Sequence, residues 1–237
     1  MSNILRGNRV KRSSKRANDF ISSIGFDSPI TKHVVSINMA HMLALARSKE
    51  VAPDVASASL SFLESLPAKL QLDPSTEDVH HMVEQEAIRA IGMDMAGFMN
   101  FGKSRNDQVA TAIRMEARER LLDAAEALSQ VQAALIRQVR KHRAAIMPGY
   151  THLQHAQPVT LAHHLQSHFD AIQRDVARLE QAYGRVNLSP MGAAALAVLA
   201  RGVTGVAGRL LLGPKSLGCL GPRALLGLKA GLLRFLR

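Results

Sequence analysis

An all-α fold is what this 237-residue sequence predicts, and three observations carry that reading. Lys103 to Met147 contains neither glycine nor proline and is bounded by Gly102 and Pro148; within it Leu121, Leu128 and Leu135 stand seven apart, with Ala125 and Val131 between them. That is the pattern of a helix packed along its length against other helices. Beyond Pro158, a second stretch keeps 3.6-residue spacing through Leu161, Leu165, Phe169, Ile172, Val176, Leu179 and Tyr183. No segment shows convincing period-two alternation with turn dipeptides, so sheet content is expected to be minor.

The remaining elements follow in chain order. Ser28-Pro29 reads as a helix start, a capping hydroxyl followed by proline at the first helical position. Ile30, Val34, Ile37, His41 and Leu45 then recur at helical spacing. Pro53 opens a further helix that carries Leu60 and Leu63 until Pro67 stops it. Ser75 with Asp78 three positions on resembles a capping box, and Val79, Val83 and Ala87 continue on one face until Gly92. If about 40 residues of the next stretch are helical, a rise of ~1.5 Å per residue makes a rod of roughly 60 Å. Such a rod is too long for a small compact domain, so partner helices from other subunits are expected. Pro148-Gly149 breaks it, the polar loop YTHLQHAQ follows, and Pro158 is expected to open the last helix. The predicted organisation is a small N-terminal helical domain over 1–102, the start of a long-helix bundle over 103–197, and an atypical Gly/Leu/Arg-rich tail over 198–237.

Charge and composition narrow the function classes. The formal net charge is +11, yet of 30 basic residues eight fall after Glu180, whereas all 19 acidic residues lie at or before it. The same C-terminal stretch holds ten of the 16 glycines. The excess charge therefore belongs to the tail, and the body is near neutral. A nucleic-acid surface would bring interleaved aromatics or a reading helix, and aromatics are only 4% of the chain, so no nucleic-acid partner is expected. No run of 18 uncharged apolar residues occurs and Met1 to Arg16 is polar and basic, so neither a membrane partner nor a secretory signal is expected. A lone Cys219 rules out a disulfide framework within one chain and fits a reducing, cytoplasmic compartment. Helical i,i+4 spacing among His163, His164 and His168, and the pair His80 and His81, lacks HExxH or a nearby cysteine, so no metal site is expected.

Two polar clusters fall where packing has least use for them. Gly102-Lys-Ser-Arg-Asn-Asp-Gln-Val109 stands at the entry of the long helix. A cap explains one of Ser104, Asn106 or Asp107, but not Lys103, Arg105, Asn106 and Gln108 together. Donors gathered at a helix N-terminus suit an anion such as a carboxylate or phosphate. The second cluster, Tyr150 to Gln157, sets a hydroxyl (Thr151), an imidazole (His152) and two amides (Gln154, Gln157) within one tight turn. Imidazole moves protons near neutrality, and hydroxyl and amide groups hold a carboxylate without competing for them.

SRNDQVATAIR at 104–114 and PGYTHLQHAQPVTLAHHL at 148–165, in this order and separated by one uninterrupted stretch, resemble the argininosuccinate lyase family of the fumarase/aspartase superfamily. FISSIGFD at 20–27, EDVHHMVE at 77–84 and SPMGAAALA at 189–197 extend the resemblance over about residues 4–197. It implies a mostly helical subunit whose long helices form a homotetrameric bundle, with each active site built from several subunits. It implies a β-elimination that splits argininosuccinate into arginine and fumarate without metal or organic cofactor. By position, Ser23, Asn106 and Thr151 would hold substrate carboxylates and the amino-acid part, with Lys103, Arg105 and Gln157 beside them, and His152 matches the acid/base histidine. The family's usual His-Thr-Gly-Arg is here Asn100-Phe101-Gly102-Lys103, which keeps the charge and loses the bidentate fork. Its GSSxMPQKxNP serine loop does not occur in these 237 residues. The acid-free stretch from about Val198 is expected to be a frameshifted terminus, and the chain as it stands is expected to show little turnover; the alternative reading is a non-catalytic helical oligomerisation or ligand-binding fragment of the same superfamily.

Overall fold

The computed structural model of the chain describes residues 15–67, 70–74 and 76–193. Among the described residues, seven α-helices and one two-stranded hairpin occur in the order α1 (Lys15–Ile21), α2 (Thr31–Arg47), α3 (Pro53–Ser65), α4 (Val79–Ile91), α5 (Met93–Ala96), α6 (Arg105–Lys141), β1 (Ile146–Thr151), β2 (Gln154–Thr160) and α7 (Leu161–Val186). The all-α expectation therefore holds. None of these helices is long and apolar enough to cross a membrane. The acid-free tail lies outside the described residues. The described residues divide into two compact units, 15–116 with 188–193, and 117–187.

The first unit is built on α2. Its buried residues Val34, Ile37, Met42, Ala44 and Leu45 meet Phe62 and Leu63 of α3, Val79, Met82, Val83 and Ala87 of α4, and Ala112 and Met115 of α6. Pro53 sits in the first turn of α3, followed by Asp54 at the positive end of the helix dipole. Two starts differ from the sequence reading. Ser28–Ile30 forms a separate 3-10 turn, and α2 begins at Thr31, whose hydroxyl donates back to the Asp27 carbonyl at 3.2 Å. The α4 cap is Asp78 itself, which accepts the His81 N–H at 2.7 Å, while Ser75 falls outside the described residues. Gly92 ends α4 at φ 82, a left-handed angle that glycine adopts freely.

In the second unit the inward stripe of α7 is the one read from the spacing. Phe169, Val176 and Tyr183 are buried, and Leu165, Ile172 and Leu179 are half-buried. Tyr183 packs with Ala125, Leu121, Leu122 and Leu179, and Gln132 donates to Gln173 at 3.0 Å.

The connection between the long helices is where the sequence reading fails. The helix stops at Lys141 rather than running to Met147, and the polar loop is an antiparallel hairpin, Ile146 facing Thr160 and Thr151 facing Gln154. Pro158 lies in β2 instead of opening α7, which starts at Leu161 under a Thr160 cap that accepts the His163 N–H at 3.1 Å. The residue before a proline is sterically driven from helical to extended backbone. Met147 before Pro148 and Gln157 before Pro158 obey that rule, and on a two-stranded ribbon both prolines find edge positions that need no N–H.

Candidate functional site

In the first unit, the start of α6 is tied into α2 and α4 by buried or half-buried polar contacts. Lys103 donates from Nζ to Asn38 Oδ1, and the His41 ring meets the Phe101 carbonyl at 2.9 Å. Arg105 donates to Asp78 at 2.7 Å, with Glu84 3.7 Å from its other terminal nitrogen. Asn100 donates to Glu84 at 2.9 Å. One acid thus caps α4 through one oxygen and holds Arg105 through the other.

Burial dominates the electrostatics here. Loss of water pushes Lys103 down to about 7, against the pull of Asp107 and Glu84. His41 falls to about 4, through burial first and the neighbouring Lys103 charge second. His80 also falls to about 4 through burial, partly offset by Asp78. Gln108 is close enough to favour its protonated form, yet neither ring nitrogen has a properly formed hydrogen bond among the described residues. Glu84 is held below its ordinary value chiefly by His81 and further by Arg105, while desolvation opposes both. Burial therefore keeps His41 and His80 neutral at pH 7, and the region presents guanidinium and amide donors.

Ser23 lies on the neighbouring segment. Its N–H donates to the Glu77 carbonyl at 2.9 Å and its hydroxyl to Asp27 at 3.2 Å. Asp27 also accepts the Val79 N–H at 2.9 Å, which ties this segment to the start of α4, and burial raises its pKa. Asn106 is exposed on the first turn of α6, its backbone N–H reaching Ser104 Oγ at 3.3 Å. Ser23, Lys103, Arg105 and Asn106 thus all belong to the first unit.

Thr151, His152 and Gln157 belong to the second. Thr151 closes the hairpin opposite Gln154, leaving His152 and Leu153 as a two-residue turn with φ of 49° and 62°. Both values are left-handed, the signature of a type I′ turn, which prefers Asn-Gly. A non-glycine residue held there costs on the order of 1 kcal/mol. His152 is exposed at the tip. Gln157 sits in β2 opposite Gly149, where an added Cβ would stand 2.7 Å from the Gln157 carbonyl oxygen. Glycine is required at 149 for the strands to come this close.

Sequence reasoning missed three contributors. Asn38 is buried on α2 and carries no motif signal. Asp107 reads as a possible cap but is buried and accepts the Gly192 N–H at 3.3 Å, anchoring the SPMG turn to α6. His33 pairs with Glu116 at 3.1 Å, a contact across 83 residues of sequence that no local pattern announces.

With this geometry in view, the similarities to known proteins are specific. The lyase family matches residues 7–206. The argininosuccinate lyase of Methanocaldococcus jannaschii is 40% identical over 200 residues, 82% of this chain and 41% of that protein. That of Methanothrix thermoacetophila is 44% identical over 195 residues, 82% of this chain and 40% of its relative. The chain thus spans about two fifths of the length of these curated relatives. Among solved structures, EDDS lyase in complex with formate superposes with a TM-score of 0.69 at 29% identity, covering 76% of this chain and 36% of that one. A fumarate lyase:delta crystallin from Brucella melitensis bound to cobalt shares the fold, with a TM-score of 0.67 at 17% identity, over 89% of this chain and 50% of its own. A family match across most of the sequence, relatives near 40% identity and a shared helical fold lead to one conclusion: the chain belongs to the lyase family, within the fumarase/aspartase superfamily.

Proposed function

We propose that the chain carries the N-terminal part of an argininosuccinate lyase, a cytoplasmic enzyme of arginine biosynthesis that splits argininosuccinate into arginine and fumarate by β-elimination. The observation that carries this reading is the SRNDQ cluster at the head of α6. Asn106 is displayed on the first helical turn, where free N–H groups and the dipole favour an anion, beside Lys103 and Arg105 held by buried partners. Similarity to argininosuccinate lyases at about 40% identity supports the substrate class.

The residue roles are those the family resemblance implies by position, and the chemistry suits them. Elimination next to a carboxylate builds negative charge into an aci-carboxylate, which preorganised donors stabilise. Ser23, Asn106 and Thr151 hold the substrate carboxylates and amino-acid portion, and Gln157 supports the hairpin side. Arg105, engaged by Asp78 and Glu84, contributes fixed positive charge. Lys103 supplies a cation that is half neutralised near pH 7. His152 exchanges the proton as the acid/base group, acting with the family's serine loop. The resemblance implies a homotetramer in which neighbouring copies complete each site, and the small core of the second unit fits burial against other copies.

Turnover tests this reading. The 237-residue chain without that loop is expected to release little fumarate from argininosuccinate; with the loop restored, His152→Asn should cost on the order of 10²-fold. Equal turnover with and without the imidazole defeats the assignment.

A further inference from the structure

Just below its tip, the hairpin changes register. Pro148 faces Pro158, but Tyr150 faces His155, so Gly149 alone stands opposite both Ala156 and Gln157. This is a bulge with the extra residue on β2. Carrying the outer register inward would set Tyr150 opposite Ala156 and leave three residues to turn the chain. The bulge sets Thr151 opposite Gln154 instead, so His152 and Leu153 must turn it alone, both at left-handed φ.

Their own chemistry does not favour that conformation. Neither is glycine or asparagine, and Leu153 is 95% exposed, so it has almost no packing to hold it. What flanks the turn is one specific cross-strand pair. The Tyr150 hydroxyl lies 3.2 Å from His155 Nε2, and the two rings lie 4.9 Å apart, centre to centre. Either the phenol donates to a neutral ring nitrogen or a ring N–H donates to the phenol oxygen, so the bond persists in both protonation states of His155. On the far side of the pair, Gly149 admits the Gln157 backbone at a distance no side chain would allow.

We propose that Tyr150 and His155 are positioning residues for His152: their pair locks the bulged register, and that register imposes the two-residue turn that sets the direction of the His152 imidazole. The proposal rests on the reading of His152 as the acid/base group, because only then does its direction bear on function.

The test uses the full chain and two NMR readouts, hydrogen exchange at the hairpin amides and the His152 ring Cε1–H resonance. Replacing both residues (Tyr150→Ala with His155→Ala) should speed hairpin exchange at least about tenfold and shift the His152 resonance as its ring loses a fixed direction, leaving α7 amides unchanged. His155→Gln, which keeps a partner for the phenol, should restore most of the protection lost in His155→Ala. Should alanine at these positions loosen α7 as well, that rescue still decides the matter. Unchanged exchange and an unmoved His152 resonance in the double variant overturn the proposal, as does His155→Gln behaving like His155→Ala. Fumarate titration separates this claim from the functional one. A loosened turn in the variants with no fumarate-induced shift at His152 in the parent upholds the clamp and defeats the lyase reading. A fumarate shift at His152 that survives at full size without the pair upholds the lyase reading and defeats the clamp.

Discussion

The two units hold their candidate site residues in opposite ways. In the first, Lys103 and Arg105 are gripped by Asn38, Asp78 and Glu84 over a core in which Val34, Ile37, Met42 and Leu45 are fully buried. In the second, every residue from Thr151 to Gln157 is exposed, and the tip is held by backbone pairing and one ring pair. Binding groups set by buried partners keep their geometry in a single chain. An exposed turn carrying strain gains most from a neighbouring surface, which is what a multi-subunit active site would supply.

The largest expected effect follows from this contrast in packing. Leu63→Ala empties a fully buried site in the first unit and should cost roughly 2–5 kcal/mol. Leu179→Ala removes a half-buried contact in the second and should cost about 1 kcal/mol in the isolated chain. Denaturant titration of both variants checks this. Equal losses would break the contrast, and a Leu179→Ala cost that grows with protein concentration would sharpen it by revealing assembly through the second unit.

Acid should also strike the first unit selectively. His41 and His80 have folded values near 4, well below an ordinary imidazole, so the unfolded chain binds more protons between about 6.5 and 4. Stability should therefore be retained above pH 6.5 and lost as the pH falls toward 4, by on the order of 3 kcal/mol per imidazole. Thermal unfolding across that range, repeated with His41→Gln, checks the sign; a flat profile in the parent chain contradicts it.

Much of the first unit was legible in the sequence because its signals are local. Proline at 53, glycine at 92 and the apolar spacing of α2 and α4 act within a turn or two, and the SRNDQ cluster stands out as polarity that packing cannot use. The partners Asn38 and Glu116 were not legible, since they are set by contacts 65 and 83 residues away in sequence. The hairpin was misread for a different reason. Its two prolines signal helix breaks and helix starts as readily as edge strands, and its His-Leu turn lacks the usual asparagine and glycine. Pairing between the strands decided the conformation.

Smaller effects probe single contacts. Gly149→Ala should push β2 away from β1, because its Cβ would meet the Gln157 oxygen at 2.7 Å, and hairpin amides should exchange faster by a cost of about 1–3 kcal/mol. Unchanged exchange would show that the strands yield without loss. Asp78→Asn keeps an N-cap oxygen for the His81 N–H and removes the charge facing Arg105, so it should cost about 1 kcal/mol.

The central claim is that the head of α6 is built to bind a carboxylate. Calorimetric titration of fumarate into the folded 237-residue chain at neutral pH tests it most directly, with Asn106→Ala alongside. Measurable binding in the parent chain, weakened about tenfold or more by the substitution, is the predicted result. No heat from the folded parent, or equal affinity in the two chains, would contradict it.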